Sequence, residues 1–161
     1  VQRARRGRLR AGRARYGGGV TTPPQLATFI KAYDVRGLVG TQLTEPVVEA
    51  LGAAFADEMA AERAAAGGST GDLELAVGHD MRDSSPGFAA AFARGAQARG
   101  ASVLMLGLCS TDQTYFASGQ LGLPAAMFTA SHNPATYNGI KFCRPGAQGI
   151  SVDTGLGAIR D

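Results

Sequence analysis

Leu73-Glu74-Leu75-Ala76-Val77-Gly78-His79-Asp80-Met81-Arg82-Asp83-Ser84-Ser85-Pro86 is the stretch from which the fold of this 161-residue chain is read. Leu73, Leu75 and Val77 alternate, which predicts a short strand over 73–78. The polar run 79–84 then carries the chain to Ser84 or Ser85, either of which can cap a helix that has Pro86 in its first turn. Phe88, Ala91, Phe92, Gly95 and Ala96 fall on one face of that helix, and Gly100 ends it. Downstream, Val103 to Leu106 reads as a continuous apolar strand buried on both faces. A helical stretch over about 112–119 and a strand over 125–129 follow. Strand, helix, strand, helix, strand predicts an α/β fold, a three-layer sandwich with a mostly parallel central sheet. Ligands of such sheets bind beyond the carboxyl ends of the strands.

Upstream, Thr21-Thr22-Pro23-Pro24 reads as an extended lead-in to a short apolar segment, Leu26 to Tyr33, which ends in a loop at Asp34-Val35-Arg36-Gly37. The first clear helix follows. Thr44 can cap it, Pro46 fits its first turn, and Val47, Leu51, Phe55 and Met59 line one face to about Ala66, before Gly67-Gly68. Near the end of the chain, Asp153-Thr154-Gly155-Leu156 reads as the start of another helix.

Hydrophobic residues make up 45% of the chain and charged residues 18%, which excludes global disorder. No apolar run approaches the ~20 residues of a membrane helix. The net charge of +3 comes from one end: residues 1–19 hold seven arginines (Arg3, Arg5, Arg6, Arg8, Arg10, Arg13 and Arg15) and no acid. From Val20 onward there are nine basic and thirteen acidic residues, so the remainder is mildly acidic. The division expected is a disordered arginine-rich tail over 1–19 and one α/β domain over 20–161. The tail reads as upstream sequence carried ahead of the true start; a phosphate-neutralising arm for nucleic acid and a serine-free transit peptide are the alternatives. Two cysteines, Cys109 and Cys143, without a second pair suit a reducing cytoplasm.

The chemistry is concentrated at Thr129-Ala130-Ser131-His132-Asn133-Pro134, which follows a strand directly and puts a hydroxyl, an imidazole and an amide at consecutive loop positions. Tyr137-Asn138-Gly139 then turns the chain into Ile140-Lys141-Phe142. Backbone N–H groups of such a loop can surround an anion, which suits a phosphoserine at Ser131. Taken singly, Ser131 is a turn former, His132 a surface hydrogen-bonding group and Lys141 a solvated strand-end lysine. The combination is what carries specificity. A hydrolase using Ser131 with His132 is disfavoured, because no Gly-x-Ser-x-Gly elbow is present. His79 and Asp80 alone fall short of a metal site.

Three separated segments resemble motifs of the α-D-phosphohexomutase superfamily, the phosphomannomutase/phosphoglucomutase enzymes: Tyr33-Asp34-Val35-Arg36-Gly37, then Val77 through Ser84, then Thr129 through Pro134 with Tyr137-Asn138-Gly139-Ile140-Lys141. The resemblance covers roughly Phe29 to Asp161 and corresponds to the first of the family's four domains. It implies an isomerase that moves phosphate between the 1- and 6-positions of hexose phosphates through a hexose 1,6-bisphosphate, which also serves as activator. On that resemblance Ser131 is the catalytic phosphoserine, and Mg²⁺ binds an oxygen of its phosphate. Arg36 contacts the phosphate, while Lys141 and His132 exchange the proton of the sugar hydroxyl. Lysine serves as a base only where burial or neighbouring cations lower its pKa. Asn133 and Arg82 bind phosphate or orient the loop, with loop orientation favoured for Arg82; Pro134 and Gly139 shape the chain.

After the Val103 strand the family often shows Thr-Pro, where this chain has Cys109-Ser110-Thr111-Asp112. The family's Asp-rich metal loop, sugar-recognising loop and distal phosphate-binding domain have no counterpart here, so the remaining Mg²⁺ ligands are expected in the family's second domain, with domains II–IV together completing the enzyme. The chain alone is expected to be inactive. Its partners are a hexose phosphate and those further domains, with no membrane or nucleic-acid partner expected. The alternatives are a non-catalytic module binding a phosphate ligand or a protein, and a nucleic-acid binder acting through the tail. The preferred sugar (mannose, glucose or glucosamine phosphate) is not legible.

Overall fold

A computed structural model of the chain describes residues 23–69, 71 and 73–160. The arginine-rich stretch and Thr21-Thr22 lie outside them. A short helix α1 (Pro23–Phe29) comes first, then β1 (Val35–Leu38), α2 (Glu45–Ala65), β2 (Glu74–His79), α3 (Ser85–Ala98), β3 (Ser102–Leu108), α4 (Thr111–Leu121), β4 (Ala125–Phe128), β5 (Tyr137–Arg144), β6 (Gln148–Gly149) and α5 (Leu156–Arg160). Single 3₁₀ turns occupy Pro145–Ala147 and Val152–Thr154.

The strands form one sheet in the order β1-β5-β4-β2-β3, with β6 paired to the far end of β5. β2 pairs in parallel with both β3 and β4. β5 runs antiparallel to β4 and to β1, so four of these five strands point the same way. The direction of β5 follows from its connection: residues 129–136 are too few for the crossover that a parallel neighbour requires.

Helices cover both faces. Alternation along β2 sends Leu75 and Val77 toward α2 and α3, where Phe55, Phe92, Phe128 and Phe142 join them in the main core. The rings of Phe55 and Phe142 lie 4.8 Å apart. Ala76, Ala125 and Cys143 face the other way, with Leu106 of β3 and Tyr115 of α4 packed against them. In α2, Leu51, Phe55 and Met59 are buried as their spacing predicts, and the predicted inward face of α3 is buried throughout.

Three expectations fail. Pro23 and Pro24 start a helical turn instead of continuing an extended lead-in; proline is tolerated in a helix's first turn, where its missing N–H breaks no bond. The supposed loop at Asp34-Val35-Arg36-Gly37 contains a strand, because Val35–Leu38 pairs with Tyr137–Ile140. A four-residue run with an arginine and a glycine carries no period long enough to announce this. The Val103 strand is not buried on both faces: β3 is the sheet edge, and Leu104, Met105 and Leu108 are exposed. A short apolar run reads the same at the centre and at the rim of a sheet.

Candidate active site

The carboxyl end of β4 delivers the chain into the Ser131 loop. Thr129 and Ala130 are buried, Ser131 and His132 are exposed, and the loop returns into β5 at Tyr137. Ser131 has φ +54°, the left-handed region that L-residues seldom occupy. Its N–H donates to Thr129 Oγ1 at 3.0 Å. The backbone N–H and side-chain amide of Asn133 both donate to the Ala130 carbonyl, at 3.0 and 2.9 Å, so Asn133 closes the turn from inside. Ser131 Oγ and His132 Nδ1 lie 3.4 Å apart, at the long end of hydrogen-bond range.

Arg82, in the loop after β2, reaches across to this turn. Its Nη1 donates to the carbonyls of Pro134 and Tyr137 at 2.9 and 3.0 Å, and its Nη2 to those of Ser131 and Asn133 at 2.9 and 2.8 Å. Its Nε faces Asp80 Oδ2 at 3.3 Å. Asp80 Oδ1 accepts from the backbone N–H of Arg82 and from the buried Ser85 hydroxyl, at 3.0 and 2.7 Å. Asn138, fully buried on β5, donates to the hydroxyls of Ser84 and Ser85 at 2.8 and 2.9 Å and accepts from Gly139 N–H at 2.7 Å. A continuous polar network therefore ties the start of α3, the β2–α3 loop and the root of β5 to the serine loop.

A second group lies on the face of the sheet that α4 covers. Arg36 Nη2 donates to Asp34 Oδ2 at 2.6 Å, and Lys141 Nζ lies 3.9 Å from the same oxygen. Arg36 Nε is buried without a hydrogen-bond partner among the described residues. Register relates this group to the loop: Arg36 sits opposite Gly139, Thr129 N–H donates to the Gly139 carbonyl at 3.1 Å, and Lys141 sits opposite Met127. Gly139 allows this closeness, since a Cβ there would meet the Val35 carbonyl oxygen at 2.3 Å. On α4 itself, burial pushes the Tyr115 phenol above its ordinary value, with Cys143, Asp34 and Asp112 adding in the same direction.

Of the residues singled out from the sequence, Ser131, His132 and Asn133 share the loop, Arg82 grips it, and Arg36 and Lys141 share one carboxylate on the neighbouring strands. His79 Nδ1 is 2.9 Å from the Asp80 carbonyl, and the Asp80 carboxylate is engaged by Arg82 and Ser85. Sequence reasoning missed Asp34 and Asn138. Asp34 had a signal, since positions two apart in an extended chain share a face and Arg36 follows at that spacing. Asn138 carried a misleading one: Asn-Gly ordinarily marks a tight turn, yet here it lies inside β5. Among the described residues no group of three or more His, Cys, Asp or Glu side chains could hold a metal ion. The described residues by themselves therefore supply no complete Mg²⁺ site.

Residues 27–159 match the family model described as phosphoglucomutase/phosphomannomutase, alpha/beta/alpha domain I. The chain is 42% identical over 132 residues to a Xanthomonas campestris protein named phosphohexose mutases, a match covering 81% of this chain and 27% of that protein. It is 38% identical over 134 residues to a Klebsiella pneumoniae phosphomannomutase, covering 83% and 78% respectively. In three dimensions it superimposes on a phosphoglucomutase/phosphomannomutase family protein of Burkholderia thailandensis with a TM-score of 0.70 and 33% identity, over 82% of this chain and 29% of that one. The chain belongs to the phosphoglucomutase/phosphomannomutase family, as its α/β/α domain I. It spans about a quarter of the length of the first relatives it matches.

Proposed function

We propose that this chain is the phosphoserine-bearing domain of a phosphohexomutase, an isomerase that shifts phosphate between the 1- and 6-positions of a hexose phosphate. The observation that carries the reading is the presentation of Ser131: an exposed hydroxyl on a braced loop beyond the carboxyl end of β4, with Arg36 and Lys141 on the adjoining strands. In the phosphorylated form, a hydroxyl oxygen of the bound sugar attacks phosphorus, the Oγ–P bond of Ser131 breaks, and the hexose 1,6-bisphosphate forms. The hydroxyl proton passes to Lys141 or His132. In the return step the freed Ser131 Oγ attacks the other phosphorus, the sugar O–P bond there breaks, and the proton held by the base passes to the released sugar oxygen, which regenerates the phosphoserine and leaves the isomerised sugar phosphate.

Arg36 holds phosphate oxygens in this reading through its guanidinium, which is partly exposed and already anchored on Asp34. Mg²⁺ would be held by Ser131 through an oxygen of its phosphate, with its other ligands supplied by the second domain of the same enzyme, and would neutralise charge during the transfer. The names of the relatives point to hexose phosphates, mannose phosphate among them. No helix among the described residues is long and apolar enough to cross a membrane, and the free thiols Cys109 and Cys143 suit a reducing cytoplasm.

Incubation of the complete gene product with a hexose 1,6-bisphosphate tests the reading by intact-mass spectrometry. Phosphate is expected on Ser131 and is expected to vanish in Ser131→Ala. Undiminished phosphorylation of that variant would overturn the assignment.

A further inference from the structure

We propose that Arg82 is a positioning residue for the transfer at Ser131, acting only through the backbone of the serine loop and binding no phosphate itself. The inference rests on the phosphoserine reading above. The guanidinium has five N–H donors in a fixed planar fork. Four of them donate to the carbonyls of Ser131, Asn133, Pro134 and Tyr137, and the fifth, on Nε, faces Asp80. Nothing remains to offer an incoming anion without releasing the loop.

What the fork holds is a conformation that the loop does not favour by itself. Ser131 is at φ +54°, and the neighbouring residues 132 and 134–136 are exposed, so little apolar packing fixes them. By gathering carbonyls from both sides of the turn onto one cation, Arg82 sets where the Ser131 oxygen stands relative to β4 and β5. Its own orientation is set from behind. Asp80 fixes the guanidinium, Ser85 fixes Asp80, and the buried Asn138 fastens Ser84 and Ser85 to β5. Lysine has the charge but a single nitrogen, which cannot span four carbonyls in this arrangement.

The test uses Arg82→Lys and Asp80→Asn in the complete gene product, with hexose phosphate turnover and amide hydrogen exchange measured on each. Arg82→Lys is expected to lower kcat about a hundredfold while KM stays close to wild type, as a misplaced reacting group requires. Exchange is expected to quicken over 131–137 and to remain slow in β2 and β4. Asp80→Asn, which keeps the arginine but loosens its seat, is expected to move kcat and exchange in the same direction by less. It decides the matter if the lysine variant loses protection in β2 and β4 as well. A rise in KM at unchanged kcat would overturn the proposal in favour of direct substrate binding, and unchanged exchange with unchanged kcat would show that the clamp is idle. Should the wild-type protein show no phosphohexomutase turnover, the phosphoserine reading falls, while the exchange comparison still decides whether Arg82 holds the loop.

Discussion

Ser131 combines a reactive oxygen with a backbone conformation better suited to glycine. Holding an L-residue in the left-handed region costs ~1–2 kcal/mol, and the loop bears this because Thr129, Asn133 and Arg82 fix the turn around it. Glycine at 131 would relieve that cost but add unfolded-chain freedom of roughly 0.5–1 kcal/mol. The relief is the larger effect. Ser131→Gly is therefore expected to be more stable than Ser131→Ala by about 0.5–1 kcal/mol in urea unfolding, although both lack the hydroxyl. An alanine variant equal or superior to the glycine variant would contradict a left-handed residue at this position. Asp34 and Asn138 act at the same scale: one places two cations on a single oxygen, the other fills the donor and acceptor needs of a buried corner.

At the level of elements, the site depends on how closely α2 and α3 pack behind it. Each presents a glycine to the other's backbone. A Cβ on Gly52 would lie 2.1 Å from the Phe92 carbonyl oxygen, and one on Gly95 would lie 1.9 Å from that of Glu49. Alanine at 95 would gain up to ~1 kcal/mol in helix propensity. Forcing backbone from backbone costs more, ~1–3 kcal/mol and toward the upper end where no flexible side chain can yield. Gly95→Ala is expected to lower unfolding free energy by about 2 kcal/mol, read from the denaturant midpoint; a neutral or stabilising result would mean that the two helices stand farther apart. α3 carries Ser85, and through it Asp80 and Arg82, so this packing reaches the serine loop by a short chain of contacts.

At the scale of the whole sheet, its two rims differ among the described residues. β1 at one rim has α1 against it, whereas β3 at the other has no strand beyond it among the described residues and presents Leu104, Met105 and Leu108, the last 69% exposed. No charge or proline interrupts β3, and of the devices that ordinarily protect a sheet edge it carries a register irregularity, where Met105 and Gly107 pair with the consecutive residues Val77 and Gly78. The 161-residue chain is expected to associate as its concentration rises. Leu108→Lys is expected to suppress this in sedimentation velocity while changing stability by no more than ~0.5 kcal/mol. Wild-type chain that stays monomeric to its solubility limit would refute the expectation.

Local pattern in the sequence determined the alternation of strands and helices, the inward faces of α2 and α3, and the emergence of the Ser131 loop from a strand end. Each of these is a periodicity or a boundary signal contained within about fifteen residues. Tertiary structure alone decided that Val35–Leu38 is a strand, that β3 is a rim, and that Asn138 is a buried connector instead of a turn. It also decided that Arg82 grips four carbonyls lying 49 to 55 residues further along the chain. The physical reason is common to all four. A strand's place and a side chain's hydrogen-bond partners are properties of pairs of segments, and the spacing of residues within one segment carries no information about which distant segment will meet it.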